Sequence, residues 1–438
     1  MKKRTLFAFA LGLSGCGVRP PPTPGDGPPQ TVIVLIGCTL RADRMPAYGN
    51  PRDLMPYLDG LVDDGVLFER MIATAPWTRP AVGSLTTGRY PLVLGIDHPR
   101  QSVRSSRGLH PDFTTLAEVF SGAGWSTVGA TANPNANAHF NLTQGFDSYF
   151  EATGLWRDDR RKFPGEYVVE EWLKLAAEVD GPLYGQLLVV DTHSPLGLGV
   201  GDYAWMLAHG MVPPATVDEY DAALRNLDAT IEALDEGLAA LGRDQRLFVL
   251  VGDHGEGLNF PERAGHAHGR MLYDANVQVP WVLHGPGVAR GHRVVGLAES
   301  VDVWPTVLDL AGVAPTNPVD GTSMAEQVRG AADHTPKEAA YSETFYGGTH
   351  KARWTTPEWT FIYTDPNRRH ADGEVELYRA RDRMADVDVS TKHLGQVNTY
   401  TMAIERLRTQ LLAEQKTWEA PEPDAETEAQ LRELGYLE

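Results

Sequence analysis

Apolar runs of strand length alternate with stretches of helical spacing along most of the chain. Residues 31–36 are almost continuously apolar, as in a parallel strand that is covered on both faces. A helix is predicted from Asp53 to Gly65, because its apolar residues recur on one side. Further strands are predicted at 125–130, 186–190, 246–251 and 279–284, and further helices at 114–122, 166–179, 217–241 and 303–311. This alternation predicts an α/β fold, a doubly wound, mostly parallel sheet flanked by helices.

The N-terminus has the pattern of a bacterial lipoprotein signal. Two lysines and an arginine precede a short apolar run at 6–13, and Cys16 follows in a lipobox. The run is too short to span a bilayer, so we interpret residues 1–15 as a signal peptide and Cys16 as the lipidated residue. Residues 16–30 are rich in Pro and Gly and form a tether. The expected location is the bacterial cell envelope, in the periplasm or at the outer surface, with the protein held at the membrane by its lipid.

Charge and cysteine content narrow the expected partners. The formal net charge is −19, and removal of the three basic residues of the signal makes it −22. A surface this acidic argues against nucleic acid as a partner. The chain has two cysteines, and lipidation of Cys16 leaves Cys38 without an intramolecular partner. No disulfide framework is therefore expected.

The strand predicted at 246–251 runs into Asp253 and His254 at a glycine-rich turn. A turn breaks the alternation of side chains along a strand, so both residues can reach one metal ion. The alternative is that Asp253 caps the following helix. The pair is therefore a candidate half of a metal site.

A candidate nucleophile precedes another predicted helix. Pro80 suits the first turn of this helix, Gly88 suits its end, and Thr78 lies in the N-cap region. Thr78 is either a cap or a nucleophile. A helix N-terminus and a nearby cation both favour the ionised hydroxyl, so the interpretation of Thr78 as a nucleophile requires the metal site to be close.

In combination, these segments resemble the sulfatase branch of the alkaline phosphatase superfamily. The resemblance begins near Thr31, runs to the C-terminus and implies an alkaline phosphatase-like fold. Its motifs occur in the family's order, and they lie at 38–43, 77–80 with 85–89, 191–195, 252–257, 265–269 with 272–274, and 429–437. By this resemblance, Cys38, Asp253 and His254 occupy metal-ligand positions and Thr78 occupies the nucleophile position.

The nucleophile position departs from the family pattern. Typical sulfatases carry a Cys or Ser that matures to formylglycine, whereas Thr78 cannot form that aldehyde. Members of the wider superfamily that transfer phospho groups use Thr there, so the resemblance implies direct in-line attack by Thr78. The arginine that usually follows in this motif is Val82, and the sequence leaves open whether Arg79 replaces it.

Cys38 stands where the family has its first metal-binding Asp. A thiolate binds zinc readily but is a poor ligand for calcium or magnesium. If Cys38 is a ligand, the expected cofactor is one divalent ion, Zn or Mn. If Cys38 is an inert buried residue, the ion is Ca or Mg, or the site has degenerated.

Two histidines are candidate acids for the leaving group. His193 and His268 match positions at which the family holds the ester oxygens or protonates the departing alcohol; each could instead be a solvated loop residue, and His266 fits less well. The family's sulfate-holding Gly-Lys-Trp-His segment has no counterpart. In its place, the chain reads Gly129-Ala-Thr-Ala-Asn133-Pro-Asn135.

The resemblance divides the chain into a catalytic domain at 31–330 and a C-terminal α+β subdomain at 331–438. The subdomain carries three short stretches that resemble the family's small antiparallel sheet, at 351–354, 359–363 and 376–378, and a predicted helix at 402–415. The implied function is a metal-dependent hydrolase or transferase of sulfate or phosphate esters, acting on a small-molecule, glycan or lipid ester. The alternatives are a degenerate member that acts as a surface-tethered binding protein, and a structural envelope lipoprotein.

Overall fold

The computed structural model describes residues 28–97, 107–152, 165–194, 216–331, 337–366 and 373–433, together with positions 196, 198, 204, 206 and 208. The predicted signal peptide, Cys16 and most of the predicted tether lie outside these residues. Within them, no helix combines the length and the apolar character needed to cross a membrane. The lipid anchor therefore remains a prediction.

Most of the sheet strands are buried on both faces. The strands, in chain order, are β1 (Thr31–Gly37), β2 (Val66–Ile72), β3 (Arg107–Gly108), β4 (Ser126–Thr131), β5 (Ser148–Glu151), β6 (Leu183–Val189), β7 (Arg246–Gly252), β8 (Gln278–Val279), β9 (Trp281–His284), β10 (His292–Glu299), β11 (Ala340–Thr344), β12 (Lys351–Thr355), β13 (Trp359–Thr364), β14 (Glu374–Arg379) and β15 (Trp418–Glu419). Every residue of β1, β6 and β7 is buried, as their apolar sequences predict.

These strands form a mixed, mostly parallel central sheet. Among the described residues the order is β10-β2-β9-β7-β1-β6-β4-β5, and β8 pairs with β2. β1 is parallel to β6 and β7, and β4 is parallel to β5 and β6, while β9 runs antiparallel to β2 and β7. The predicted doubly wound sheet is confirmed, with β8 and β9 as antiparallel members among the described residues.

Helices flank this sheet. They are α1 (Pro56–Asp63), α2 (Thr78–Thr87), α3 (Pro91–Leu94), α4 (Leu116–Gly122), α5 (Gly165–Ala176), α6 (Thr216–Ala240), α7 (Asp274–Val277), α8 (Ser300–Ala311), α9 (Ala325–Val328), α10 (Leu394–Glu414) and α11 (Ala425–Glu433). The helix predicted from Asp53 begins instead at Pro56, whose fixed φ suits a first turn. α2 is buried throughout and ends where predicted, at Gly88, whose φ of 68° is left-handed.

The central sheet differs from the sequence prediction in two ways. The strand predicted at 279–284 is split between β8 and β9, because Pro280 has no N–H to donate to a ladder. Strands β2, β5 and β10 were not predicted from the sequence. β2 and β10 pair with each other in parallel and extend the sheet beyond β9, while β5 pairs with β4 at the other end.

A separate antiparallel sheet, β11-β12-β13-β14, lies towards the C-terminus. It contains the three predicted stretches and one further strand, β11, which packs against the main sheet. Ser342 Oγ donates to the carbonyl of Ala73, and the N–H of Glu343 donates to the carbonyl of Thr74. The helix predicted at 402–415 is the second half of α10. The expected small α+β region is thus present and attached to the core just before α2.

Candidate active site and metal centre

Loops that follow four neighbouring strands bring the candidate residues together. The strands β7, β1, β6 and β4 are adjacent and parallel, so their carboxyl ends meet at one edge of the sheet. Cys38 follows β1, Asp253 and His254 follow β7, and His193 follows β6. The N-terminus of α2 presents Thr78 to the same edge.

Asp253 is fully buried and held through only one of its oxygens. Its Oδ1 accepts from the backbone N–H groups of Thr39 at 3.0 Å and His254 at 2.6 Å. Thr39 has a left-handed φ of 58°, which is uncommon for a threonine. Oδ2 of Asp253 has no hydrogen-bond partner, and burial raises the pKa of this carboxyl group to about 7. A buried oxygen that lacks a partner is the type of atom that a cation completes.

His254 has the tautomer that a metal ligand needs. Its Nδ1 lies 2.8 Å from the carbonyl oxygen of Gly255 and must donate its hydrogen there, so the lone pair is on Nε2. Burial, followed by the charge on His268, lowers the pKa of His254 to about 3. Nε2 lies 3.4 Å from Oδ2 of Asp253. The imidazole is therefore neutral and directed at the carboxylate.

Thr78 is the first residue of α2, and the N-cap position belongs to Trp77. The interpretation of Thr78 as the N-cap is therefore wrong. Its Oγ1 lies 3.2 Å from Nε2 of His254 and 3.5 Å from Sγ of Cys38. The predicted nucleophile thus lies directly beside the predicted metal ligands, at a helix N-terminus that favours negative charge.

Cys38, Asp253 and His254 have the spacing of a small metal site. One ligand atom from each lies within 4.8 Å of the others, and all three side chains are buried. Ligand bonds of about 2.0–2.3 Å in a tetrahedron place donor atoms about 3.3–3.8 Å apart. The separations of 3.4 Å between carboxylate and imidazole, 3.2 Å between imidazole and Thr78, and 3.5 Å between Thr78 and sulfur are close to this range. The residues present therefore fit one small metal ion.

The Cys38 thiol is protonated in the metal-free protein. Burial, followed by the nearby Asp253 carboxyl group, raises the pKa of Cys38 well above its usual value. A bound cation reverses this, because a coordinating thiol loses its proton. The same thiol is therefore compatible with a zinc ligand and, without an ion, with an inert buried cysteine.

His268 lies beside this cluster, and His193 lies beside His268. The His268 ring lies 4.6 Å from the His254 ring and 5.1 Å from the His193 ring, measured between centroids. Nδ1 of His268 lies 3.1 Å from Oε2 of Glu256. Burial lowers the pKa of His268, but the Glu256 carboxylate outweighs this effect and the net shift is upward. His268 is thus equipped to hold a proton that it can donate, whereas His266 is exposed.

Two further polar residues border Thr78. Asn133, which follows β4, places its Nδ2 3.2 Å from Oγ1 of Thr78 and 3.3 Å from Sγ of Cys38. Sequence reasoning missed this role, although the position of Asn133 after a parallel strand was a usable signal. Arg79 donates to Oδ1 of Asn135 at 2.8 Å and packs on the ring of Phe140. Its guanidinium thus binds the segment that follows β4.

The ends of β1 and β7 are fastened together by Arg41. Its guanidinium donates to the backbone carbonyls of Glu256, Gly257 and Phe260, and it forms an ion pair with Asp43. The hydroxyl of Tyr220 donates to the carbonyl of Thr39 at 2.7 Å. These contacts join the segment that follows β1 to the segment that follows β7 and to α6.

The chain is similar to known sulfatases. A family model described as Sulfatase matches residues 30–313. The Ulvan-active sulfatase of Formosa agariphila is 22% identical over 349 residues, which cover 70% of this chain and 66% of that protein. The match to the structure of a 2-O GAG sulfatase covers 90% of this chain and 96% of that protein, with a TM-score of 0.69 and 16% sequence identity. The match to the structure of the phosphonate monoester hydrolase of Agrobacterium radiobacter covers 88% of this chain and 96% of that protein, with a TM-score of 0.68 and 18% sequence identity. At these identities the structural likeness establishes the fold.

Proposed function

This chain belongs to the sulfatase family, and we propose that it is a metal-dependent hydrolase or transferase of sulfate or phosphate esters with Thr78 as its nucleophile. Family membership and the similarity to a sulfatase and a phosphonate monoester hydrolase support ester chemistry at sulfur or phosphorus. The observation that carries the finer proposal is the Thr78 hydroxyl, 3.2 Å from the His254 imidazole. A hydroxyl in that position is within reach of any ion that Cys38, Asp253 and His254 hold.

We assign one divalent ion to Cys38, Asp253 and His254. The combination of thiolate, imidazole and carboxylate selects zinc or manganese over calcium or magnesium. When bound, such an ion supplies positive charge that lowers the pKa of the neighbouring hydroxyl and offsets charge on the reacting group. The orphan Oδ2 of Asp253 supports this assignment.

The chain's own residues then each perform one part of the reaction. Thr78 Oγ1 releases its proton to solvent and then attacks sulfur or phosphorus in line, forming a covalent ester as the bond to the departing alcohol oxygen breaks. His268, or His193 beside it, protonates that oxygen. Water or an acceptor alcohol next gives a proton to the same histidine and attacks the sulfur or phosphorus. The bond to Thr78 Oγ1 breaks, and the threonine oxygen regains a proton from solvent. The choice between water and alcohol decides between hydrolysis and transfer.

The names of two similar proteins favour a glycan ester as the substrate of this chain. One is an Ulvan-active sulfatase and another a 2-O GAG sulfatase, so both names refer to sulfated polysaccharides. Small-molecule and lipid esters belong to the same chemical class and enter the substrate screen. We propose no nucleic-acid substrate, because the chain has a formal net charge of −19.

Metal analysis combined with substitution of Thr78 tests the proposal. Purified protein is assayed for bound metal and screened against aryl sulfates, aryl phosphodiesters and sulfated oligosaccharides. We expect one equivalent of zinc or manganese and a fall in kcat of about 1000-fold or more in Thr78→Ala. Thr86→Ala is the matched control, because the Thr86 hydroxyl donates within the same helix to the carbonyl of Val82. Turnover that Thr78→Ala leaves unchanged refutes this nucleophile.

The degenerate binding protein is the second candidate, and one observation favours it. Without an ion, the raised pKa of Cys38 keeps the thiol protonated, and a neutral thiol holds metal weakly. This candidate predicts metal-free protein that turns over no ester in the screen but still binds sulfated oligosaccharides. Bound metal with turnover excludes it.

We also propose that the protein is anchored in the bacterial cell envelope through a lipid on Cys16. The lipobox pattern supports this. Expression of the full chain in a bacterium should place it in the membrane fraction, and Cys16→Ala should release it or leave it unprocessed. Equal fractionation of the two proteins contradicts the anchor and leaves the enzyme proposal untouched.

A further inference from the structure

We propose that Asn133 is a positioning residue, whose two amide hydrogens hold the Cys38 sulfur and the Thr78 hydroxyl at a fixed separation. The inference rests on the proposed function for its chemical meaning, but its geometry is independent of any ion. Nδ2 of Asn133 lies 3.3 Å from Sγ of Cys38 and 3.2 Å from Oγ1 of Thr78. One side chain thus contacts both the unusual metal-ligand position and the unusual nucleophile.

The orientation of the Asn133 amide is fixed from behind. Its Oδ1 accepts from the backbone N–H of Asn135 at 2.9 Å, which requires that Nδ2 faces the site. Its backbone is tied to the end of β4, because its N–H donates to Oγ1 of Thr131 and its carbonyl accepts from the same hydroxyl. Asn133 is 0% exposed. These contacts leave the side chain little freedom to turn away.

Hydrogen-bond counting gives the contact a direction. An amide nitrogen has two hydrogens and accepts none, so Asn133 donates to both the sulfur and the hydroxyl oxygen. The hydroxyl hydrogen of Thr78 then points elsewhere, and in the metal-free protein Nε2 of His254 is an acceptor 3.2 Å away. The result is a chain of donors from Asn133 through Thr78 to His254. Asn133 therefore stabilises negative charge on both the sulfur and the threonine oxygen, as charge-assisted hydrogen bonds do.

This arrangement fits the two departures from the family pattern. A lysine in this segment would bring a full positive charge beside Cys38 and Thr78, whereas the amide brings two directed dipoles and no net charge. A hydrogen bond to a coordinating atom from a neighbouring residue orients the ligand and tunes the metal. The amide matches a thiolate and an alkoxide that lie side by side.

The test uses Asn133→Asp, which keeps the size of the side chain but removes both donors, and Asn133→Ala. Metal-free protein is loaded with Co²⁺, whose near-ultraviolet sulfur charge-transfer band reports the hydrogen bond to Sγ. We expect both variants to shift this band relative to wild type and to lose about 100-fold in kcat with little change in KM. Asn137→Ala is the matched control: Asn137 lies in the same segment, is 3% exposed and has an Oδ1 without a partner.

A structural role alone would lower Tm and move neither the band nor the ratio of kcat to KM, so that result overturns the inference. A wild type without metal or turnover means instead that the proposed function has failed. A double-mutant cycle in metal-free protein then decides the inference, with Asn133→Ala and Cys38→Ala measured by Tm. Coupled losses that differ from the sum of the single losses by about 1–3 °C support the positioning role, and additive losses overturn it.

Discussion

Replacement of Asp253 by Asn should stabilise the metal-free protein at alkaline pH and destroy the metal site at the same time. In the folded protein, burial raises the pKa of Asp253 to about 7, against about 3.9 in an unfolded chain. Between these values the folded state keeps a proton that the unfolded state has lost. Stability therefore falls as pH rises through this window.

The magnitude follows from the shift. About three pKa units at 1.36 kcal/mol each give about 4 kcal/mol, which the wild type lacks above pH 7 and retains near pH 4. In Asp253→Asn, the oxygen can still accept from the N–H groups of Thr39 and His254. The new amide N–H lies within reach of Nε2 of His254, which is 3.4 Å from the present Oδ2 and which it would share with the Thr78 hydroxyl. The substitution thus removes the buried charge and gives the orphan atom a partner.

The assay is thermal unfolding of chelator-treated wild type and Asp253→Asn at about pH 4 and about pH 8. At about 1–2 °C for each kcal/mol in a chain of this size, the variant should unfold about 4–8 °C higher at the alkaline pH and close to wild type at the acidic pH. Excess zinc should narrow this gap by more than half, because about 100 times the Kd contributes about 2.7 kcal/mol to the wild type alone. A variant that is no more stable than wild type at alkaline pH, without metal, would refute the reasoning.

Three further substitutions probe the surroundings of the site. Cys38→Asp should change the ion that raises Tm most from zinc to calcium or magnesium, and a thermal-shift series that keeps zinc first contradicts the ligand role. Glu256→Gln should move the alkaline limb of the pH profile of kcat to lower pH. The Glu256 carboxylate raises the pKa of His268, so without it this acid loses its proton at a lower pH; an unmoved limb excludes His268 as the acid. Asp97→Ala leaves the indole N–H of Trp77, which precedes Thr78, without its buried acceptor. Urea denaturation should therefore show a free energy of unfolding that is lower by about 1–3 kcal/mol, and a decrease below about 0.5 kcal/mol contradicts this contact.

The strands that carry the site were predictable because their burial is written in local sequence. Residues 31–36 and 246–251 are apolar almost without interruption, and β1 and β7 lie there with every residue buried. Strand β2 was missed because Glu69 and Arg70 interrupt its apolar run. These two side chains are only partly buried, and pairing with distant β10 stabilises the strand. Local periodicity does not report such a partner.

Residue types and their neighbours in sequence were enough to propose Thr78, His193, Asp253, His254 and His268 as site residues, with Cys38 as a possible ligand. Cys38, His193, Asp253 and His254 follow predicted strands and Thr78 precedes a predicted helix, where side chains of a parallel sheet are expected to converge. His268 was proposed from the resemblance to the family alone. The functional role of each stays a prediction that the experiments above test. Sequence did not show whether Thr78 was a cap, because an N-cap and a first helical residue differ by one position.

By itself, the sequence determined the α/β fold, its family and the set of residue types available for chemistry, because burial patterns and motifs are local properties of the chain. Only the tertiary structure decided which atoms meet. It left Oδ2 of Asp253 without a partner, set Thr78 beside His254 and directed the amide of Asn133 at two residues that are distant in sequence. Distances of this kind depend on the order and twist of strands that are far apart along the chain, and no local pattern encodes them.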